Sequence, residues 1–386
     1  MNKAPAATSA PDDEPMLAGL TVLDLSQGIA GPYCGLILRQ QGARVIKVEP
    51  PAGDWGRQMG RAREGMTAIA IAYNAGKESV VLDTRTEAGK VALRKLAEQA
   101  DVVIQNYRPG VAERMGVGYE ALAAHNPALV YVSISGYGQD GPLAALPAVD
   151  TTIQAFSGLM HVNRDAAGQP RRIGFFLVDL STGLYAAQHA SAALFRAGRG
   201  GKGRHVKMSL LEASAALQSY LMLDDAMFPD AEMAAANAPT GLFQAADGAL
   251  YVSMLNDAMF VRLATVLGFD DWLADSSLRT SAGRLPRAAE LCQRLAAALL
   301  GQPLSYWESV FTENDVLFGR VGHPREMLGS EHCAQAGVFG NVEQAGLGQL
   351  PWANLPGLAG TARPHGPAPL LGQHTASVLA EFGLVA

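Results

Sequence analysis

Short apolar runs alternate with amphipathic stretches through the first half of the chain. Residues 20–25 form a β-branched, apolar run closed by Ser26, Gln27 and Gly28, after which Ile29, Ala30, Gly31 and Pro32 open an apolar-periodic stretch lasting to Gln41. That order predicts strand, loop and helix. Residues 42–49 read as a second strand stopped by Pro50 and Pro51. The opening is therefore a βαβ unit, which implies a parallel sheet with a right-handed crossover. The pattern recurs. A turn at Asn74 leads into a strand ending at Asp83, a helix with apolar Val91, Leu93 and Leu96 covers 86–99, and strands are predicted at 101–106, 129–135 and 205–210. Between the last two strands, an apolar run from residue 172 carries Asp179 into a small-residue, helix-like stretch ending near Arg196.

The periodicity lapses between Asp224 and Ala238, where Met, Ala and Asp predominate, and a linker is expected there. Residues 241–254 read as a hairpin turning at Asp247 and Gly248, followed by helical stretches at 257–267 and 287–300. Pro- and Gly-rich loops then lead to a final helix ending at Phe382. The expected organisation is a loose tail at 1–15, a large Rossmann-like α/β domain with a parallel sheet at 16–223, a linker at 224–240, a small α+β domain at 241–325, and a return segment at 326–386. A length of 386 residues agrees with more than one core.

Composition narrows the function classes. With 49% hydrophobic and 17% charged residues and a net charge of -6, the chain has no basic stripe with interleaved aromatics, so no nucleic-acid partner is expected. Cys34, Cys292 and Cys333 are three, far apart, and support neither a disulfide framework nor a metal site. The first fifteen residues lack the basic and apolar regions of a secretory signal, and no window is long and apolar enough to span a bilayer. A cytoplasmic protein without a membrane or metal partner is expected.

Candidate chemistry sits where strands end. The loop after the first strand is where doubly wound sheets place ligands, yet residues 26–31 (Ser-Gln-Gly-Ile-Ala-Gly) lack the G-x-G-x-x-G spacing, although Glu49 falls near where a ribose-binding acid could sit. Asn106-Tyr-Arg-Pro-Gly110 and Arg114-Met-Gly116 put amide, aromatic, guanidinium and thioether groups at one sheet edge. That mixture suits adenine and phosphates, and equally a tight turn with solvated Arg108 and Arg114. The glycines of the 136–141 loop allow close approach to a ligand. Asp150 and Asp179 each precede or open a predicted helix, and the local reading of both is a helix cap, a job Ser181 or Thr182 could share with Asp179. Gly, Arg and Lys residues at 196–204 read as a helix C-terminal turn or a phosphate cradle.

Together these segments resemble the family III CoA-transferases, with the α-methylacyl-CoA racemases as relatives. The resemblance rests on Val22-Leu-Asp-Leu-Ser, Ala30-Gly-Pro32, Gly42-Ala-Arg-Val-Ile-Lys-Val-Glu49, Lys77-Glu-Ser-Val-Val-Leu-Asp83, Asn106-Tyr-Arg-Pro-Gly110, Arg114-Met-Gly116, Gln154-Ala-Phe-Ser-Gly158, Asp179 and Pro369-Leu-Leu-Gly-Gln-His-Thr375. It covers nearly the whole chain and is weakest from about 224 to 364. It implies that Asp179 is a nucleophile, forming an aspartyl mixed anhydride and then an aspartyl-CoA thioester. A helix start would keep that carboxylate ionised. Asp150 is implied as its helper. CoA, a substrate and not a resident cofactor, is expected at Ala30, Leu82, Arg85, Asn106, Tyr107, Arg114 and Met115. The carboxylic acid acceptor is expected near Gln27, Gly28, Ile29, Tyr137 and Gly138. The resemblance also implies an intertwined homodimer of ring-like subunits, with the C-terminal segment returning to the large domain.

Two departures refine the expectation. Formyl-CoA transferase carries glutamine and histidine where this chain has Ile29 and Gln27, which weakens an oxalate-type contact. Racemases carry a histidine where this chain has Val149, a side chain that cannot exchange a proton. Three readings stay open at this level: a CoA-transferase, an acyl-CoA racemase or isomerase using Asp150 and Asp179, and a CoA-binding homologue without catalysis.

Overall fold

The fold is seen in a computed structural model, which describes residues 14–165, 167–229, 237–357 and 366–384. The chain divides into two units: one runs to Ser219 and resumes at Gln335, and the other is Tyr220–Ala334. In the first unit the strands are β1 (Thr21–Asp24), β2 (Arg44–Glu49), β3 (Glu78–Val81), β4 (Val102–Gln105), β5 (Val130–Ser135) and β6 (Arg204–Ser209). They form one sheet in the order β3-β2-β1-β4-β5-β6, with every neighbouring pair parallel. This is the doubly wound order, and the mixed α/β class with a parallel central sheet expected from the sequence holds.

Alternation along the strands explains the layers. Val22, Val102, Ile104, Val130, Val132 and Ile134 enter one core with Cys34, Ile37, Leu38, Ala186 and Ala190; Leu23, Ile46, Val103 and Tyr131 enter another with Leu93, Leu96 and Leu122. Successive side chains point to opposite faces, so a sheet covered by helices on both must be apolar at consecutive positions. The helices on the first face are α1 (Ala30–Gln40) and, after β5, α6 (Leu177–Gly198); α3 (Glu87–Glu98) and α4 (Tyr119–His125) lie on the second. Between them in sequence come α2 (Ala68–Asn74) and α5 (Asp150–Phe156). Two further helices, α7 (Leu210–Leu217) and α8 (Ser219–Met227), follow β6. The α8 helix occupies the start of the expected linker, since Leu, Met and Ala favour helix and no Pro appears until Pro229. Residues 230–236 of that linker lie outside the described residues.

The second unit pairs β7 (Gly241–Gln244) with β8 (Ala249–Val252) as the expected hairpin, and adds β9 (Phe318–Arg320) beside β8. Helices α9 (Asp257–Val266), α10 (Ala288–Leu299) and α11 (Leu304–Glu313) supply Phe260, Leu263, Leu291, Leu295, Trp307 and Phe311 to its core. Beyond it, the loops expected after 325 contain instead a second hairpin, β10 (Phe339–Gln344) and β11 (Gly348–Ala353). Its glycines serve the turn: Gly346 and Gly348 adopt φ values of 76° and 74°. Val342 and Trp352 are buried and anchor it.

The return segment finishes the sheet. Ser79 N–H donates to His374 Nδ1 at 3.1 Å and Val81 N–H to the Thr375 hydroxyl at 2.9 Å, while His374 N–H donates to Ser79 O. The open edge of β3 is thereby covered. Helix α12 (Thr375–Glu381) then seats Val378 and Leu379 in the second core.

Beneath the carboxyl ends of β1 and β2 lies a buried network of charges. Lys77 Nζ donates to Asp24 at 2.8 Å and to the Pro32 carbonyl; Lys47 Nζ donates to the Ser26 carbonyl and pairs with Asp54 at 2.9 Å; Arg57 pairs with Glu49 at 2.6 Å. Burial pushes the Asp24 carboxyl up, but Lys77 and Lys47 outweigh it and hold the group at about 2. Lys77→Met would strand the Asp24 charge in the interior. We expect a loss of about 3–5 kcal/mol in unfolding free energy, measured by urea denaturation at neutral pH, and an unchanged midpoint would contradict this account of the network.

Candidate active site

The strand order reverses between β1 and β4, and at such a switch point the loops after neighbouring strands diverge and leave a crevice. A pocket of about 370 Å³ opens there. Gln27 lines it after β1, residues 106–109 after β4, and Ser135 and Gly136 after β5; Trp55 and the 146–149 segment complete the wall. A two-way bond crosses the switch point: Gln27 N–H donates to Asn106 Oδ1 at 2.9 Å, and Asn106 Nδ2 donates to Gln27 O at 2.7 Å. Gly28 has φ of 80°, and a Cβ there would run into the Trp55 ring. Glycine is required on both counts. Its N–H donates to Asp54 Oδ1 at 2.8 Å, so the buried charge network holds this loop from below.

The second part of the site is built by α5 and α6. Asp179 is the third residue of α6, and Phe176 at the N-cap makes no side-chain capping bond. The cap comes from elsewhere. Asp150, fully buried as the first residue of α5, accepts the Val178 N–H at 2.8 Å and the Asp179 N–H at 3.1 Å on one oxygen. Its other oxygen accepts from Gln154 Nε2 at 2.6 Å, and Gln154 Oε1 accepts the Ile173 N–H. Capping by Asp179 itself is therefore not what the fold uses, and Ser181 and Thr182 bond back to the Val178 carbonyl instead.

Asp179 itself is half-buried, and among the described residues no donor bonds its carboxylate. Burial first, and the Asp150 charge second, push its carboxyl up to about 7. The helix start therefore does not hold Asp179 in the usual carboxylate range: burial outweighs it, and its leading N–H groups are taken by a second carboxylate whose charge opposes that of Asp179. Helix α1 packs tightly along α6: a Cβ on Gly183 would lie 2.6 Å from the Ala30 carbonyl and 3.0 Å from the Tyr33 ring. This close approach brings the turn carrying Asp179 beside the start of α1.

Of the residues singled out in the sequence, Gln27, Asn106 and Tyr107 meet in the pocket. Gly28, Ile29 and Ala30 are buried in the β1–α1 connection beside it. Leu82 belongs to the second core and Met115 packs against it. Arg85 is exposed and bonded to Asp83, and Arg114 is exposed at the end of a short helix. Both follow carboxyl ends of parallel strands, outside the pocket lining. Tyr137 sets its ring edge-on to Phe156 at 5.3 Å, and Gly138 has φ of 105°. Glu49, near a ribose-binding position in the sequence, is buried against Arg57 and Ser79. Trp55 and Gln154 are absent from the sequence expectations for the site, since neither a lone tryptophan after Gly53 and Asp54 nor a buried glutamine carries a local signal. Arg108, open there between a phosphate ligand and a surface charge, lines the pocket. Among the described residues no group of three or more His, Cys, Asp or Glu could hold a metal, and no helix is long and apolar enough to cross a membrane.

The succinate–glutarate CoA-transferase of Agrobacterium fabrum is 32% identical over 390 residues, covering 97% of this chain and 98% of that protein. The acetyl-CoA:oxalate CoA-transferase of Acetobacter aceti is 35% identical over 308 residues, covering 78% and 79%. The crystal structure of a CAIB/BAIF family protein from Brucella suis superposes with a TM-score of 0.85 at 30% identity, covering 96% of this chain and all of that one. The profile of the family described as CoA-transferase family III matches residues 17–375. That profile spans nearly the whole chain, and the relatives the chain aligns with end to end are named CoA-transferases: the chain belongs to CoA-transferase family III and is an acyl-CoA:carboxylate CoA-transferase.

Proposed function

We propose that Asp179 is the nucleophile that carries the acyl group and then CoA between donor and acceptor. The observation that supports this most is the asymmetry of the two carboxylates: Asp150 accepts three hydrogen bonds, from two backbone N–H groups and Gln154, while Asp179 has no hydrogen-bond donor among the described residues. Hydrogen bonds draw on the lone pairs of a carboxylate and weaken it as a nucleophile; those of Asp179 are undrawn. In this reading an Asp179 oxygen bonds to the thioester carbonyl carbon of the donor, the C–S bond breaks, and CoA leaves as thiolate. The thiolate attacks the Asp179 carbonyl of the mixed anhydride, releasing the donor's carboxylate and leaving an aspartyl-CoA thioester. The acceptor carboxylate attacks that thioester and the thiolate returns on the acyl carbon of the resulting anhydride, which frees Asp179.

CoA enters as a substrate. Gln27, Asn106, Tyr107 and Arg108 would hold the part nearest the switch point, with Arg85 and Arg114 on the same edge of the sheet available for phosphates. Arg85 would exchange its bond to Asp83 for one to phosphate. Asp150 acts as a positioning residue, because a buried carboxylate already holding three hydrogen bonds is a poor base. A racemase would need a second base across the α-carbon, and Val149 supplies none. The relatives' names make dicarboxylic acids, succinate and glutarate foremost, the first acceptors to screen. We further propose a homodimer, supported by Leu184 and Phe195, which lie three turns apart on α6 and are 54% and 68% exposed.

Four outcomes are expected. Incubation with succinyl-CoA and hydroxylamine, followed by digestion and mass spectrometry, should place the modification on Asp179, and Asp179→Ala should cost at least about 10³-fold in turnover; full turnover in that variant would end the proposal. Activity should rise with pH through about 7 as the carboxylate loses its proton. In Asp150→Asn that limb should move to lower pH yet stay above the ordinary aspartate range, since burial is the larger cause; a limb that did not move would remove Asp150 from the electrostatics of the site. In light scattering the protein should have twice the chain mass of 40.5 kDa, and a monomer at micromolar concentration would exclude the dimer.

A further inference from the structure

A row of polar side chains interrupts the apolar second face of the sheet. Gln105 on β4, Ser133 on β5 and His205 on β6 stand on the face to which Val103 and Tyr131 contribute core. Gln105 and Ser133 are buried and His205 is half-buried, so each needs a hydrogen-bond partner. They supply one another. Gln105 Nε2 donates to Ser133 Oγ at 2.8 Å, and Ser133 Oγ lies 2.9 Å from His205 Nε2. The His205 ring is stacked on Tyr119, the first residue of α4, at 4.6 Å and meets Tyr131 edge-on at 5.2 Å, which fixes its plane. At the other end the row reaches the switch-point pocket: Gln105 Oε1 accepts the Tyr107 N–H at 2.8 Å, with Gln105 itself standing behind the pocket lining.

The bonds in this row all run one way. A peptide N–H can only donate, so the Gln105 atom that meets Tyr107 is the carbonyl oxygen, and the amide NH2 turns to Ser133. Ser133 accepts there and gives its own proton to His205, whose Nε2 is then the unprotonated nitrogen. Burial first and Lys207 second hold that imidazole down at about 4, against the opposing pull of Glu113, so the acceptor persists at neutral pH. Hydrogen bonds aligned head to tail strengthen one another. Tyr107 is thereby tied back to three strands, while Asn106 beside it is tied to Gln27 across the switch point. The wall that these two residues give the pocket is held from both sides.

We propose that Gln105 is a positioning residue for CoA: through its bond to the Tyr107 N–H it holds the Asn106 and Tyr107 wall of the pocket in the form that receives the substrate. The inference rests on the reading that Asn106 and Tyr107 hold CoA. Gln105 touches neither substrate nor reacting group. It acts by preorganisation, since a wall already in place when CoA arrives costs no ordering on binding. Glutamate can do the same work. One carboxyl oxygen accepts the Tyr107 N–H in either protonation state, and the other faces Ser133, with neutral His205 able to donate from Nε2 instead. Methionine, of similar length, offers no comparable acceptor and leaves the Tyr107 N–H unpartnered.

The test is isothermal titration calorimetry of CoA with wild type, Gln105→Met and Gln105→Glu, with kcat for succinyl-CoA measured beside it. The expected result is a dissociation constant raised about 10-fold in Gln105→Met and about threefold or less in Gln105→Glu, with stoichiometry as in wild type and kcat within about twofold. An unchanged constant in Gln105→Met overturns the proposal. Equal weakening in both variants also overturns it, because the acceptor oxygen would then not be what matters. A misfolded fraction lowers the stoichiometry and leaves the constant alone, so that pattern makes Gln105 a packing residue and overturns the proposal too. Should Gln105→Met fail to fold, Ser133→Ala, which frees the far end of the amide, takes its place; a rise of about 2- to 5-fold is expected, and no rise overturns the proposal. Tyr107→Ala separates the two readings. If it binds CoA as wild type does, the placement of CoA falls first and this inference with it; if it binds weakly while Gln105→Met is unaffected, the inference alone is removed.

Discussion

A carboxylate borrowed from one helix to close the start of another is the constraint on which this site depends. Helix α6 begins without a capping side chain of its own, and its leading N–H groups would be unsatisfied in a partly buried junction. Asp150 satisfies two of them, and Gln154 fixes Asp150 while also accepting the N–H of Ile173 on the approach to α6. Charge-assisted bonds of this kind are roughly twice as strong as neutral ones. The direction in which α6 leaves the sheet, and so the position of Asp179, is set by α5. The same arrangement spends the helix field on Asp150, leaving Asp179 to burial and to a like charge.

Below this junction, the buried ion network does comparable work for the β1–α1 connection. Lys47 holds the Ser26 carbonyl, Asp54 holds the Gly28 N–H, and Asn106 grips Gln27 from the neighbouring strand end. Three consecutive residues are thereby fixed from two directions. Salt bridges in an interior often gain little stability over apolar replacements; what this network adds is a loop with no freedom to relax. A site on such a loop is organised before substrate arrives, which is where catalytic power is gained most cheaply in entropy.

Much of the fold could be read directly because it follows from local pattern. The strands and helices of the first unit repeat a period-two and a 3.6-residue signal, and the switch point follows once the sheet is parallel. Features were missed where meaning lies in pairing across the chain. The β10–β11 hairpin looks like Gly-rich loop because its turn glycines dominate the local composition, while its anchors, Val342 and Trp352, are isolated letters. The site divides the same way. Gln27, Asn106 and Tyr107 sit at strand ends where a pocket is forced by topology, and local reasoning finds them. Asp179 looked like a cap because aspartates near helix starts usually are. The capping residue stands 29 positions earlier, a relation no window of sequence contains. Gln154 acts through Asp150 and the Ile173 N–H and leaves no trace in spacing.

Two aspartates of identical chemistry thus receive different tasks from their surroundings, and the value of about 7 for the proposed nucleophile has a physical logic. A carboxylate of ordinary acidity is fully ionised at neutral pH but is a weak nucleophile; one made more basic by burial attacks better but spends more time protonated. The product of those two tendencies peaks when the pKa lies near the working pH. Burial provides most of the rise and Asp150 the remainder, so in the proposed reading the hydrogen-bonded carboxylate tunes its partner. In the proposed transfer, raising basicity also makes the aspartate a poorer leaving group from the mixed anhydride when its acyl carbon is attacked, so the rise that helps attack slows that release.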